Sequence, residues 1–187
     1  MASSGLGGGF YDAGVLQQIA TNLFYGWGYN FYRAENQLRA DDQLVRNQAA
    51  GLLSQAMGGV ETAESGYRRE HLPPPSRSKP FPDAEAVAAA QRLERLARAI
   101  GALSAAIQHQ PAPENDRMTQ RYRDEAATLQ TLIQNDERLA GQCELLRSMV
   151  QGQDDVAILA NMADLEAGLE AIRETLQRRD AVLLGRG

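Results

Sequence analysis

Apolar side chains recur at alternating steps of four and three residues through the C-terminal segment, and this spacing constrains the fold more than any other feature. Such a pattern keeps one side of an α-helix apolar and is typical of the seam of a coiled coil or helical bundle. It predicts a last helix that is capped by Asp154 or Asp155 and buries that side. The seam positions are Ile158, Met162, Leu165, Leu169, Ile172, Leu176 and Leu183, with Arg179 at the one polar station.

Two further helices are predicted upstream, one from the N-cap Asp83 to about residue 110 and one from about residue 114 to residue 151. Short connections join them to each other and to the last helix, so neighbouring helices should run in opposite directions. We therefore predict that residues 83–187 form an antiparallel three-helix bundle with coiled-coil character. The composition agrees with an all-α fold, because Ala, Leu and Gln are abundant and β-branched residues are scarce.

A long amphipathic helix is predicted over residues 12–58, because apolar or small residues hold one helical face that only Asp41 and Asp42 interrupt. We expect this helix to run continuously through Gly26 and Gly28, since the apolar face keeps its phase across them. A break at these glycines is the alternative. The sequence leaves open whether this helix packs on the C-terminal bundle.

The segments on both sides of this helix contain residues that disrupt helices. Gly58 and Gly59 are expected to end it, and five prolines follow between positions 73 and 82. Proline lacks a backbone N–H and pushes the preceding residue out of the helical region, so residues 59–82 are predicted as a proline-rich linker. Residues 1–11, with the glycine cluster GLGGG, are predicted as a flexible arm.

Residues 24–32, FYGWGYNFY, hold six aromatic side chains in nine positions. Successive residues of a helix turn by about 100°, which places Phe24, Trp27 and Phe31 on the apolar face. The tyrosines fall on a second face that core packing does not require, and tyrosine is enriched at protein contacts. We therefore predict a surface, centred on the tyrosines and Trp27, that binds a second copy or another protein. Its residues are Gln18, Asn22, Tyr25, Trp27, Tyr29, Tyr32 and Asn36.

Several chemistries lack the residues that they need, so no catalytic, cofactor-binding or metal-binding residue is predicted. The net charge of -5 disfavours a nucleic-acid binder, which needs a basic stripe. His71 and His109 do not have the spacing of a di-metal bundle, and neither is placed as a catalytic base. Cys143 is the single cysteine, and its position on an apolar helix face indicates a buried hydrophobic residue.

The uncharged stretch over residues 13–32 makes membrane contact an alternative. Amide side chains such as Gln17 and Asn22 make it too polar to span a bilayer, and it lacks the basic face of an interfacial helix. The start of the chain lacks the basic and apolar stretches of a secretory signal, which, with the single cysteine, predicts a cytoplasmic protein. The excess of arginine over a single lysine suggests a bacterial gene of high GC content.

Together these features predict a non-enzymatic helical protein that serves as an assembly factor, adaptor, scaffold or structural subunit. It would dock through its aromatic N-terminal helix onto itself or onto a partner protein, without a cofactor. One alternative is a helical-bundle enzyme or ligand-binding protein with an apolar pocket lined by Phe24, Trp27 and Phe31. A second alternative is a peripheral membrane protein that rests on its aromatic helix.

Overall fold

The computed structural model describes residues 6–28, 36–77, 80–110 and 125–183, with Leu6, residues 36–41, residues 125–129 and Leu183 described in backbone only. Within these residues the chain forms a short 3-10 helix and six α-helices that pack against each other, without a β-strand. This confirms the predicted all-α fold class, whereas coiled-coil character and antiparallel order stay predictions. The elements are the 3-10 helix Leu6–Tyr11, α1 Ala13–Trp27, α2 Asn36–His71, α3 Ala84–Gln108, α4 Glu125–Val150, α5 Asp155–Ala160 and α6 Met162–Leu183.

Helix α2 lies at the centre of the molecule. It packs most extensively against α3 and next against α4, while α4 also packs against α1 and α6. Helix α3 contacts α2 far more than it contacts α6. Residues 83–187 therefore do not enclose the core by themselves, which differs from the predicted three-helix bundle, because α2 supplies the apolar face that α3 and α4 share. The fully enclosed residues of that face include Ala49, Leu53, Ala56 and Val60.

Helix α1 ends at Gly28, so the predicted continuous helix through Gly26 and Gly28 is wrong. Gly28 has a φ of 73°, and its N–H is directed at the carbonyl oxygens of Phe24 and Tyr25. A left-handed residue at this position ends a helix, and glycine adopts that conformation without the steric cost of a side chain. Helix α1 is consequently a separate element that packs on α4.

Helix α2 continues through the Gly58–Gly59 pair to His71, so the predicted helix end at these glycines is wrong. Gly59 lies against the end of α4, where a Cβ would be 2.9 Å from Cγ1 of Val150. The glycine allows the two helices to approach closely, and that packing outweighs its cost of about 1 kcal/mol in a helix. Val60 continues the buried face directly after it. The linker before α3 therefore begins at residue 72 and not at residue 59.

Residues 6–11 form a 3-10 helix packed against α6 and α4, which corrects the predicted flexible arm over residues 1–11. Phe10 is fully buried in the main core, and its carbonyl oxygen accepts a 3.0 Å hydrogen bond from Nε2 of Gln142. A Cβ at Gly168 of α6 would lie 2.4 Å from Cζ of the Phe10 ring. The lack of a side chain at Gly168 thus makes room for the ring. Residues 1–5 lie outside the described residues.

The predicted seam of the last helix is buried, although the helix itself is interrupted at Asn161 between α5 and α6. Asp154 caps α5, since its Oδ1 accepts a 2.8 Å hydrogen bond from the N–H of Ala157, and this confirms the predicted start. Backbone bonds from Asn161 to Ala157 and from Leu165 to Asn161 continue on both sides of the interruption. The buried seam residues are Ile158, Met162, Leu165, Leu169, Ile172, Leu176 and Arg179, and the side chain of Leu183 is not described.

Candidate interaction surface on the first helix

Helix α1 has both of its ends set by local hydrogen bonds. Oδ1 of Asp12 accepts hydrogen bonds from the backbone N–H groups of Gly14 and Val15 at 3.0 and 3.1 Å. This is the N-cap arrangement, in which a short polar side chain satisfies N–H groups that have no partner within the helix. With Gly28 as the C-cap, the helix begins and ends where its own sequence dictates.

The inner face of α1 packs tightly on α4. Leu16, Ala20 and Phe24 are buried, and the Phe24 ring lies 5.6 Å from the Trp27 ring, measured between centroids. On α4, a Cβ at Gly141 would lie 2.7 Å from the carbonyl oxygen of Leu16, so the two backbones approach closely there. This contact fixes the rotation of α1 and thereby determines which of its side chains face the solvent.

The opposite side of α1 carries four exposed side chains spaced three, four and three residues apart, and the exposed Tyr11 precedes them at the end of the 3-10 helix; we call these five residues the outer stripe. Tyr25 exposes 92% of its surface, Tyr11 55% and Val15 45%. Only two other large hydrophobic residues in the described part of the chain are as exposed, Phe81 and Val156. Three of these five exposed large hydrophobic residues thus lie within residues 11–25. The outer stripe consists of Tyr11, Val15, Gln18, Asn22 and Tyr25.

Charge is absent from α1, because Ala13–Trp27 contains no acidic or basic residue. Other solvent-facing helices carry ion pairs on their surface, such as Glu94 with Arg98 on α3 and Arg178 with Glu174 on α6. The centres of protein interfaces are depleted in charged residues and enriched in tyrosine, whereas a face that meets only water has no reason to exclude charge. The outer stripe therefore has the composition of a contact surface.

Three of the predicted contact residues share the outer stripe and one does not. Gln18, Asn22 and Tyr25 are exposed on it, as the helical phase predicts. Trp27, predicted at the centre of the surface, is half-buried and packs against the core on the inner side of α1. It therefore supports the helix from beneath and does not extend the outer stripe.

The remaining predicted contact residues cannot be placed on this surface. Tyr29 and Tyr32 lie outside the described residues, and Asn36 begins α2 but its side chain is not described. Conversely, the prediction missed Tyr11 and Val15, which the structure adds to the stripe. The signal that could have found Val15 is the same helical spacing extended toward the N terminus, whereas Tyr11 precedes the helix and is not placed by its phase.

A second group of polar side chains is buried between the helices, and we call it the buried ion network. Arg179 of α6 donates from Nε to Oδ1 of Asp136 on α4 at 2.9 Å, and it also contacts the carboxylate of Asp42 on α2. Arg46 pairs with Asp42 at 2.8 Å and donates to the carbonyl oxygen of Gln110 at 2.6 Å. None of the four charged residues is more than 7% exposed.

The buried ion network balances two guanidinium groups against two carboxylates. Buried ion pairs offset their desolvation only when the geometry is good and the remaining polar atoms are bonded. Here each guanidinium pairs with a carboxylate and also donates to Gln110, Arg46 to its backbone carbonyl oxygen and Arg179 to its side chain. Burial lowers the pKa of Arg46, and the nearby Asp136 carboxylate opposes that shift. Because the network joins α2, α4, α6 and the end of α3, we interpret it as a structural connection between helices.

The single cysteine is enclosed, and both histidines are exposed. Cys143 is fully buried, and burial raises the pKa of its thiol, with a smaller effect from Glu144. His109 is exposed and has a ring nitrogen 2.8 Å from the Ala105 carbonyl oxygen, while His71 lies against Tyr67. Among the described residues, no group of three or more His, Cys, Asp or Glu side chains is placed to hold a metal ion.

We expect Cys143 to resist thiol reagents in the native chain. Only the thiolate reacts, and burial both blocks access to the sulfur and raises its pKa. The chain is treated with iodoacetamide at increasing urea concentrations, and the alkylated fraction is measured by mass spectrometry. This fraction should rise over the same urea range as the unfolding transition seen by circular dichroism. Alkylation that proceeds much faster than unfolding would contradict the buried position of this side chain.

A groove of about 440 Å³ lies between α3 and α6, with Ala99, Ala102 and Leu176 among its lining residues. Neither Phe24 nor Trp27 contributes to it. Phe24 is instead fully enclosed in a small buried cluster of α1, α2 and α4 side chains. Phe24 and Trp27 thus serve packing, and Phe31, the third residue of the pocket predicted as an alternative, lies outside the described residues.

Comparison with known proteins found no relative: no family model, no curated protein and no solved structure matches the chain. In the part of the chain that the structure describes, no helix is both long and apolar enough to cross a membrane. The outer stripe of α1 is therefore the feature from which a function can be inferred.

Proposed function

We propose that the chain is a non-enzymatic assembly, adaptor or scaffold subunit that docks a protein through the outer stripe of α1. The observation that carries this proposal is Tyr25, which is 92% exposed on an uncharged helix whose other face is held against α4. On binding, such a tyrosine gains both apolar contact area and a hydrogen-bond partner for its hydroxyl. Tyrosines of this kind are among the residues that contribute most to protein association.

The remainder of the molecule supports α1 as a platform in this proposal. The close approach at Gly141 and the buried Phe10 hold the N-terminal elements against α4 and α6. A net charge of -5 favours a protein partner over a nucleic acid. Coiled-coil character, antiparallel order over residues 83–187, and a cytoplasmic, bacterial setting belong to the same proposal, and docking requires no cofactor.

A lipid surface and a small ligand are less favoured partners. Interfacial helices combine an apolar side with basic residues that meet anionic lipids, and α1 has no basic residue. A ligand site at the N-terminal aromatics would need Phe24 to line a cavity, but Phe24 is fully enclosed. The predicted contacts of Tyr29 and Tyr32 stay predictions from the sequence, since both residues lie outside the described part of the chain.

The experiment compares Tyr25→Ala with the matched control Gln17→Ala, which alters an exposed residue on the flank of the same helix. Self-association of the full chain is measured by sedimentation equilibrium, and co-purifying proteins are compared between the tagged chain and each variant. Tyr25→Ala is expected to weaken association at least ten-fold, because contact tyrosines contribute about 2 kcal/mol or more. Gln17→Ala should leave association unchanged.

Circular dichroism separates a lost contact from a lost fold. Because Tyr25 is almost fully exposed, its removal should leave helicity and the urea midpoint nearly unchanged. A chain that remains monomeric at its highest soluble concentration, with no co-purifying protein that depends on Tyr25, would contradict the proposal. A large loss of helicity in Tyr25→Ala would show that this side chain belongs to the core.

A further inference from the structure

We infer that the outer stripe of α1 binds the same stripe of a second copy of this chain, so that two copies form a symmetric dimer. The inference rests on the proposed docking function of α1 and adds the identity of the partner. Three observations support this dimer, namely the charge of the chain, the spacing of the stripe residues and the size of the exposed surface.

The distribution of charge makes this face the one at which two copies of the chain repel each other least. The chain carries a net charge of -5, so two copies repel each other where charged surfaces meet. Helix α1 has no charged residue beyond its exposed N-cap Asp12, so two acidic copies can meet along residues 15–25 without like charges in contact. A basic partner protein would bind more favourably to an acidic surface than to this uncharged stripe.

The spacing of the outer stripe matches the seam between two paired helices. Steps of four and three residues keep Val15, Gln18 and Asn22 on one line, as in helices that pack side by side. Each amide side chain carries both donors and acceptors, so it can hydrogen-bond to the same residue of another copy. A two-fold interface requires a surface that is complementary to itself, and this stripe meets that requirement.

The size of the outer stripe sets the expected strength of the dimer. Aromatic side chains bury on the order of 150–250 Å² each. At their observed exposures, Tyr11 and Tyr25 together offer about 300 Å² per copy, and the exposed Val15, Gln18 and Asn22 add to this area. The area over both copies is that of a small interface, well below the roughly 2,000 Å² or more that obligate dimers bury. We therefore expect a reversible dimer and not an obligate one.

Gln18 is the probe of choice because it is the middle residue of the outer stripe. In a two-fold pair it meets its own copy whether the two helices run parallel or antiparallel. The full chain with Gln18→Cys is oxidised mildly at micromolar concentration, with buried Cys143 as the only other thiol. We expect a disulfide-linked dimer as the main product, and at least ten-fold less cross-linking when Tyr25→Glu is added.

Gln17→Cys is the matched control, since it changes the neighbouring residue of the same type, which is also exposed but turned by about 100°. It should cross-link at least ten-fold less than Gln18→Cys. Circular dichroism should give equal helicity for all variants. Equal cross-linking of the two cysteine variants, or no effect of Tyr25→Glu, would overturn the inference.

The remaining outcomes separate the dimer from the docking function on which it rests. If Gln18→Cys does not dimerise but the chain retains a different protein that Tyr25→Ala loses, the second copy is wrong and the docking function stands. If the monomer instead binds vesicles of phosphatidylcholine and phosphatidylglycerol in a Tyr25-dependent manner, both are wrong. A dimer that Tyr25→Glu dissociates into folded monomers supports both.

Discussion

Replacement of Arg179 by alanine is expected to lower the free energy of unfolding by about 3–5 kcal/mol. The Arg179 side chain is only 2% exposed, and it donates to Asp136 and contacts the Asp42 carboxylate. Its removal takes half of the positive charge from the buried ion network while both carboxylates remain in the interior. Urea unfolding followed by circular dichroism measures the loss directly.

Arg178→Ala is the matched control for this prediction, because it removes the neighbouring arginine from the same helix. Its side chain is 45% exposed and pairs with Glu174 at 3.5 Å, a surface contact worth about 0.5 kcal/mol or less. Arg179→Met retains most of the side-chain volume, so its loss of stability reports the missing charge. A loss for Arg179→Ala no larger than that for Arg178→Ala would show that the buried ion network does not stabilise the fold.

Phe10→Ala is expected to cost about 3–5 kcal/mol, because it removes a fully enclosed ring from the main core. Gly168→Ala should act on the same contact from the other side. Its added Cβ would lie 2.4 Å from Cζ of the Phe10 ring, so the ring or α6 must move, at a cost of about 1–3 kcal/mol. Both losses are measured as shifts of the urea unfolding curve.

Gly58→Ala is the control for Gly168→Ala, since a Cβ at position 58 would meet no atom within 4 Å. In an open helical position the same substitution should stabilise the chain by about 0.5–1 kcal/mol. A double variant distinguishes the mechanism, because Gly168→Ala should lose its cost once Phe10→Ala has removed the ring. Additive losses in the double variant would contradict the assigned contact.

About half of the candidate surface was predictable from helical phase. Tyr25, Gln18 and Asn22 fall on the outer stripe because the rotation between them is a property of any α-helix. Trp27 is half-buried against the core, since whether a residue at the edge of the apolar face is covered depends on where α4 lies. Phase alone does not contain that information.

The glycines show the same division between local and tertiary causes. Gly28 ends α1 in a left-handed conformation, whereas Gly59 lies within α2 against Val150. The residue type is identical, so the outcome was decided by what surrounds each glycine. At Gly59 the buried face of α2 continues on both sides and the close contact with α4 holds the helix together, which local propensity cannot reveal.

By itself, the sequence determined the all-α class, the caps at Asp83 and Asp154 and the buried face of the last helix. These depend on hydrogen bonds within three residues and on a repeat of the helical turn, so neighbouring residues suffice to specify them. Only the tertiary structure decided that α2 forms the centre of the core, and that Arg179 meets Asp136, which is 43 residues away. The physical reason is that hydrophobic periodicity shows which face of a helix is buried, while the partner of that face is set by packing between distant segments.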